Sequence, residues 1–525
     1  MLSSVPPLRR LTPISGLAAL AALAIAGCGG GGTAAPASGA GAGDLATDGT
    51  FKLALNADPG SLDPHASQLG VVQQLGLFTY DPLIHEHGSG FVSGLADRWS
   101  VDGSTAEFHL RPGVTCSDGA ALTARTVADN INKVADPESA SPLIGITVPP
   151  GTRATADDEG GTVTLKLSQP APFLLQGVAN LPIVCAKGLK DPKRLVRGAD
   201  GTGPYVLGSV VPGSKYQLRR RAGYAWGPDG ASTSVKGLPA AVEVDVINNE
   251  TTAANLLLRG ELGAAVVAGP DSRRVKAAGL SRHAMLSMFG ELFFNQAGGR
   301  PTQPAAVRRA LTQALDLPAL RKASTSGLGT APTRLTGVSP CGQDTVTGNV
   351  PATDTAAAKT ALTGLAGKRL TFLYLSKLGP GAAAAAELAV RQWKAAGVDV
   401  VAKGETDTQM LRQVFQAGDF DIAWVPVDGQ NPSQTYPTFA GPIPAKGGQN
   451  FASIGNPTYA ASAAQALKAD ASTTCGLWAK ADAALVRDAD VVPFAFSDYP
   501  VWGTAKTELD TNYYGVLPMS VRLRR

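Results

Sequence analysis

The sequence predicts an α/β protein of two or three domains, with mostly parallel sheets flanked by helices, and three observations lead there. The chain has 525 residues, more than one hydrophobic core usually holds. Short apolar runs alternate with helical segments, an order that produces parallel sheets with right-handed crossovers. The run Phe420, Ile422, Ala423, Trp424 and Val425 carries no charge after Asp421, as a strand covered on both faces requires. Hydrophobic residues make up 44% and charged residues 17%, which excludes a disordered chain. A net charge of +4, with no basic run longer than Arg219, Arg220 and Arg221, gives no footing for nucleic acid.

At the start of the chain, Arg9 and Arg10 precede an apolar stretch over 14–26, too short for a bilayer span and right for a signal peptide. It ends in Ile25, Ala26, Gly27 and Cys28, which resembles the bacterial lipobox. Residues 1–27 are thus expected to be a lipoprotein signal peptide and Cys28 the lipid attachment site; an ordinary secretory signal with a chance cysteine is the competing reading. Two or three acyl chains there would anchor the protein at the extracytoplasmic face of the cell membrane. Residues 28–50, rich in Gly, Ala, Ser and Thr, are expected to be a flexible tether. Four cysteines remain, Cys116, Cys185, Cys341 and Cys475, too dispersed for a zinc site. In an oxidising compartment they suggest two disulfides. Of three connectivities, Cys116–Cys185 with Cys341–Cys475 is favoured because each bridge stays within one domain. Four buried free thiols are the alternative.

Further on, 51–56 reads as a strand, 60–64 as a turn and 71–80 as a helix. Residues 370–375 form an apolar strand broken at Gly379, Pro380 and Gly381. An alanine-rich helix follows over 382–396, with Glu387, Arg391 and Lys394 solvated, as helix propensity favours. Gly397 caps it, 398–401 is the next strand, and 408–417 is a second helix. Next comes the apolar strand, which opens into Asp428, Gly429, Gln430, Asn431 and Pro432, a run of turn formers. Ligands of open α/β sheets sit just beyond the carboxyl ends of strands. That makes Asp428 with Trp424, Tyr436 and Phe439 the first candidates for a small-molecule site.

Several motifs carry a resemblance. They are Gly94 to Trp99 (GLADRW), 106–114 (AEFHLRPGV), Ser117-Asp118-Gly119 and Leu122-Thr123-Ala124, then Gly201-Thr202-Gly203-Pro204-Tyr205. Phe294-Asn295 followed by 304–315 (PAAVRRALTQAL) and the tail 482–496 (DAALVRDADVVPFAF) complete the series. In this order they resemble the extracytoplasmic solute-binding proteins of family 5, the oligopeptide/dipeptide-binding class of ABC importers. The resemblance implies a two-lobed, periplasmic-binding-protein type II-like fold with mixed sheets flanked by helices. Lobe 1 would span 51–285, with an extra subdomain at about 85–200, and lobe 2 would span 286–490. Residues 491–525 would return to lobe 1. The chain would cross between lobes near 287–295 and 490–501, and two crossing strands make a hinge. It further implies a monomer that hands short peptides to a permease and its ATPase.

No G-x-x-x-x-G-K-[ST], G-x-S-x-G, HExxH or nucleotide G-x-G-x-x-G occurs in the chain, so neither a catalytic residue, a cofactor nor a metal is expected. His85, Glu86 and His87 come nearest to a metal motif and read better as a solvated turn rim. In peptide-binding members of the family, an Asp in a D-x-x-x-P loop after a Trp-bearing strand pairs with the ligand's α-ammonium. Asp428 to Pro432 fits that pattern, though Asp428 capping its own turn is an equal reading. Trp424 could serve core or cleft, as could Tyr436 and Phe439. Tyr499 and Trp502 follow the returning strand, and Asn295 could offer its amide to a ligand or satisfy a buried carbonyl. Arg308 and Arg309 are expected on a solvated helix face. Two alternatives to peptide transport stand. One is the same architecture holding a metal chelate, an oligosaccharide or an amine compound; the other is a sensor or chaperone lipoprotein without transport.

Overall fold

The computed structural model describes residues 45–525 apart from Ser89, Met285 and Gly379. The expected signal peptide, Cys28 and the tether up to residue 44 lie outside the described residues. At Leu45 the chain already bridges to Arg524.

β1 (Thr50–Leu55) turns Phe51 and Leu53 inward and Lys52 outward, the period-2 pattern of a strand with one face on a core. The chain then leaves for a subdomain built on β2 (Ala96–Asp102), β3 (Thr105–Leu110), α1 (Ala124–Ala135), β4 (Arg153–Asp157) and β5 (Thr162–Lys166). These strands form an antiparallel sheet in the order β2-β3-β5-β4. Thr123 caps α1 through the Thr126 amide at 3.1 Å. Val127, Ile131 and Val134 line the helix face that packs on Phe108, Val163 and Leu165. The Cys116–Cys185 disulfide spans this subdomain.

The GTGPY turn brings the chain back. A Cβ at Gly201 would sit 2.3 Å from the Thr79 carbonyl oxygen, and one at Gly203 would sit 2.4 Å from the Thr79 carbonyl carbon. Only glycine lets these two backbones touch. Thr202 between them donates to Asp81 at 2.9 Å, as do Tyr224 at 2.8 Å and Trp226 at 3.1 Å. The turn thus closes over a buried, hydrogen-bonded carboxyl. β6 (Tyr205–Val211), β7 (Lys215–Arg220), β8 (Ala241–Val246), β9 (Ala264–Val266) and β10 (Ser281–His283) follow.

Lobe 2 begins at β11 (Leu286–Phe294). α2 (Ala305–Gln313), β12 (Arg369–Leu375), α3 (Pro380–Ala395), β13 (Asp399–Glu405), β14 (Ile422–Trp424), α4 (Pro432–Phe439), α5 (Pro457–Ala466), α6 (Thr474–Arg487) and β15 (Val491–Asp498) complete it. β16 (Val501–Gly503) then rejoins lobe 1 between β9 and β10. The sheet orders are β10-β16-β9-β1-β8-β7-β6 and β13-β12-β14-β11-β15. The expected strand–helix–strand unit is present: β12 and β13 pair in parallel from Arg369 opposite Asp399. Gly397, at φ +88°, turns the chain between α3 and β13 in the left-handed conformation that ends helices.

The lobe 2 sheet is covered on both faces. Leu292, Phe294, Phe372 and Trp424 pack with α2 and α3 on one side. Phe293, Leu373 and Ala423 pack with α5 and α6 on the other. Burial on both sides is why 420–425 reads as an unbroken apolar run. β14 lies between β12 and β11, parallel to the first and antiparallel to the second.

β11 and β15 pair antiparallel, with Leu286 opposite Asp498. This register sets the start of β11 beside the end of β15, so the two crossings between the lobes are adjacent. The segments expected to cross are therefore mostly paired strands of lobe 2, with the crossings at their ends. An Arg282–Asp498 ion pair spans the same point. Arg308 departs from expectation: it is 4% exposed and donates to Asp490 at 2.5 Å, whereas Arg309 keeps a half-exposed ion pair with Asp488. The face of α2 carrying Arg308 turns toward β15, so the guanidinium is buried with its partner.

Candidate functional site

The loop after β14 leaves the centre of the lobe 2 sheet and runs along the boundary between the lobes. The Asp428 carboxylate accepts four hydrogen bonds: from the Ser287 hydroxyl at 2.8 Å, and from the amides of Met288, Gly337 and Gly429 at 2.9 Å each. Burial raises its pKa, and those donors pull against the rise. It thereby joins the start of β11, the 334–337 segment and its own loop at the foot of the hinge. An anion so surrounded has its lone pairs largely committed to protein donors.

Past Asp428, two glutamines reach lobe 1. The Gln430 amide donates to the Tyr514 hydroxyl at 2.8 Å, and the Gln434 amide donates to the Ile146 carbonyl at 3.2 Å. Asn431 caps α4 by accepting from the Ser433 amide at 3.1 Å, which sets the helix start from which Gln434 extends. Tyr513 and Tyr514 sit on a hairpin of Thr511–Asn512 with Gly515–Val516. Gln74 holds that hairpin to lobe 1 by exchanging hydrogen bonds with both backbone groups of Val516. Burial pushes the Tyr514 phenol up to about 12, and the charge of Asp428 adds to a rise at Tyr513. From the subdomain, Phe173 inserts its ring among apolar side chains of lobe 2 and is 8% exposed. The lobes thus meet over amides, phenols and one aromatic plug.

The other residues singled out in the sequence fall in different places. Trp424 is 1% exposed, donates its indole N–H to the Phe289 carbonyl at 2.7 Å and packs edge-on against Phe494. Phe439 is buried against Phe293 and Tyr459. Tyr436, half-buried, stacks on Tyr459 within the same cluster. Asn295 donates to the Phe420 carbonyl at 2.9 Å and accepts from the Ala297 amide at 3.0 Å, so it satisfies buried backbone. Trp502 lies in the lobe 1 core and donates to the Val267 carbonyl at 2.9 Å. Tyr499 stands exposed at the second crossing. Asp428 lies at the boundary, and Phe439 joins Tyr436 in one lobe 2 cluster; Trp424, Asn295 and Trp502 face interiors. Gln430 and Gln434 lay within the stretch that the sequence pointed to, but nothing marked their side chains. Tyr513, Tyr514 and Phe173 carried no local signal beyond a turn with two adjacent aromatics.

His85 lies on a strand over Ile84–His87, and burial pushes its pKa down to about 4; the expected solvated rim holds for Glu86 and His87, which are exposed. Among the described residues no group of three His, Cys, Asp or Glu could hold a metal, and no helix is long and apolar enough to cross a membrane. Both expected disulfides are present, Cys116–Cys185 and Cys341–Cys475.

Comparison with known proteins adds to this geometry. The family "Bacterial extracellular solute-binding proteins, family 5 Middle" matches residues 90–444. A probable deoxycholate-binding periplasmic protein, YgiS, of Escherichia coli is 27% identical over 248 residues, 42% of this chain and 44% of that protein. Protein XP55 of Streptomyces lividans is 32% identical over 248 residues, 43% of this chain and 41% of that protein. The match thus spans less than half of either relative. Among solved structures, a substrate binding protein from Microbacterium hydrocarbonoxydans, complexed with 4-hydroxybenzoate hydrazide, superposes with a TM-score of 0.72 at 27% identity. That superposition covers 90% of this chain and 99% of the other. The DppA protein of Helicobacter pylori, in complex with the peptide STSA, has a TM-score of 0.71 at 20% identity, over 92% and 99% of the two chains.

Proposed function

The chain belongs to the bacterial extracellular solute-binding proteins of family 5, and from that premise we propose that it is the lipid-anchored binding component of an ABC importer. It captures short peptides between its lobes and delivers them to a membrane permease served by an ATPase. Cys28 carries the anchor, and the binding protein acts as a monomer. The observation that carries the reading is the boundary itself: Gln430 and Gln434 of lobe 2 face Tyr514 and the Ile146 carbonyl of lobe 1. Amide and hydroxyl groups of this kind can exchange their cross-lobe hydrogen bonds for a peptide's backbone groups, which binds peptides with little regard to sequence. Two adjacent crossings supply a hinge for that exchange. No chemistry is performed on the solute; closure presents a joined surface to the permease.

Within this reading Asp428 attracts the peptide's α-ammonium, and Tyr436 and Tyr499 flank the entrance. The four donors on Asp428 favour one competing ligand class. A solute without an α-ammonium, such as an oligosaccharide, needs no free carboxylate there. Native mass spectrometry of protein purified without added ligand separates the two, because co-purified masses report the solute directly. Asp428→Asn is expected to weaken a co-purified peptide at least tenfold. Unchanged affinity removes Asp428 as the anchor, and a sugar mass removes the peptide.

A further inference from the structure

We propose that a second pocket, inside lobe 2 and separate from the boundary between the lobes, receives a primary ammonium group on the carboxylate of Asp482. The proposal does not depend on which solute the lobes enclose. Asp482 and Trp478 lie one turn apart on the same face of α6, and both line a small hollow walled by the segment 334–345 and by Pro432. The disulfide between Cys341 and Cys475 ties that segment to the start of α6, so the walls cannot drift apart. The hollow has room for a single water-sized group.

Asp482 is 8% exposed. Among the described residues its carboxylate has no hydrogen-bond or ion-pair partner, so its oxygens open onto the hollow alone. Two polar atoms lining the same hollow are buried without partners, the Thr345 hydroxyl and the Trp478 indole N–H. The one cation lining the hollow, Arg334, is committed elsewhere: it donates to the Thr336 carbonyl at 3.1 Å and the Gly337 carbonyl at 2.8 Å. The two titratable groups on which its charge acts carry no positive charge. Glu291 on β11 and Tyr459 on α5 both feel its charge, with Asp428 acting on the first and Tyr436 of α4 on the second. Burial alone pushes the Asp482 carboxyl up to about 7.

The hollow therefore lacks one compact positive charge. An ammonium supplies three N–H donors and needs no acceptor; Asp482 and Thr345, which both line the hollow, can accept them. The Trp478 ring favours a cation beside it. A divalent metal does not fit, because no set of three metal-ligating side chains surrounds the space.

The test uses the full chain and two salts at equal ionic strength, methylammonium chloride and tetramethylammonium chloride. At pH 8, methylammonium should raise the thermal midpoint in a saturable manner and perturb tryptophan fluorescence, whereas tetramethylammonium, too large and without N–H donors, should do neither. The selective shift should shrink at pH 5.5, where Asp482 is protonated. Asp482→Asn should abolish it, and Thr345→Val should weaken apparent affinity at least threefold. Equal responses to the two salts, a selective shift that survives Asp482→Asn, or wild-type affinity in Thr345→Val each overturn the proposal. So does a structure obtained in methylammonium that shows only water against Asp482.

Discussion

Asp482 also makes a residue-scale prediction that needs no ligand. Its carboxyl, pushed up to about 7, holds a proton in the folded chain where the unfolded chain, near 3.9, has lost it. From about pH 4 to about pH 7 the native state binds more protons, so this group lowers stability as pH rises through that window. Asp482→Asn removes the dependence. The variant should match the wild type near pH 4 and exceed it at pH 8 by on the order of a few kcal/mol, measured by urea unfolding at both pH values. An equal offset at the two pH values would contradict the burial of this group. His65 and His85, whose pKa values burial lowers, act in the opposite sense: the unfolded chain binds the extra protons, and stability rises with pH. Only the difference between wild type and variant isolates Asp482. At this scale the sequence was least legible. Asp428 was recognisable as the carboxylate of a turn after a strand, but three of its four donors come from residues 91 to 141 positions away, and no local pattern encodes them. Arg308 reads as surface because arginine usually is; Asp490, 182 positions on, buries it.

At the scale of elements, regular patterns carried far. The strand over 370–375, the alanine-rich helix, Gly397 and the following strand were readable because each depends on neighbours a few residues away. The Cys341–Cys475 bridge belongs to this scale too. It joins α6 to a long segment with little regular structure and closes a loop of 134 residues. In the chain-entropy account, such a link restricts the unfolded ensemble and contributes about 2–5 kcal/mol. The double variant Cys341→Ser with Cys475→Ser should lower the denaturation midpoint of lobe 2 accordingly, and hydrogen exchange should speed up along α6 while the subdomain under Cys116–Cys185 stays protected. Uniform loss of protection in both lobes would mean that the bridge stabilises the chain as a single cooperative unit.

For the whole molecule, the question is what holds the lobes together. Phe173 is the apolar contribution: a subdomain side chain seated in the core of the opposite lobe. Removing a buried phenylalanine ring costs about 3–5 kcal/mol, and here the cost falls on the closed arrangement, because Phe173 can return to solvent when the lobes part. Phe173→Ala should therefore shift the population toward open molecules, read as a larger radius of gyration in small-angle scattering, and should weaken any enclosed solute. An unchanged scattering profile would show that the polar contacts of Gln430 and Gln434 suffice for closure.

By itself the sequence determined the fold class, several of the strands and helices and the family, since these follow from short-range periodicity, turn chemistry and motifs. It narrowed the cysteines to three pairings and left each aromatic poised between core and cleft. Tertiary structure decided those cases: it buried Trp424 and Trp502, committed Asp428 to four donors, brought Tyr514 to Gln430 and left Asp482 alone. The physical reason is that burial and charge pairing are properties of a place in space, and that place is built from segments the chain keeps hundreds of residues apart.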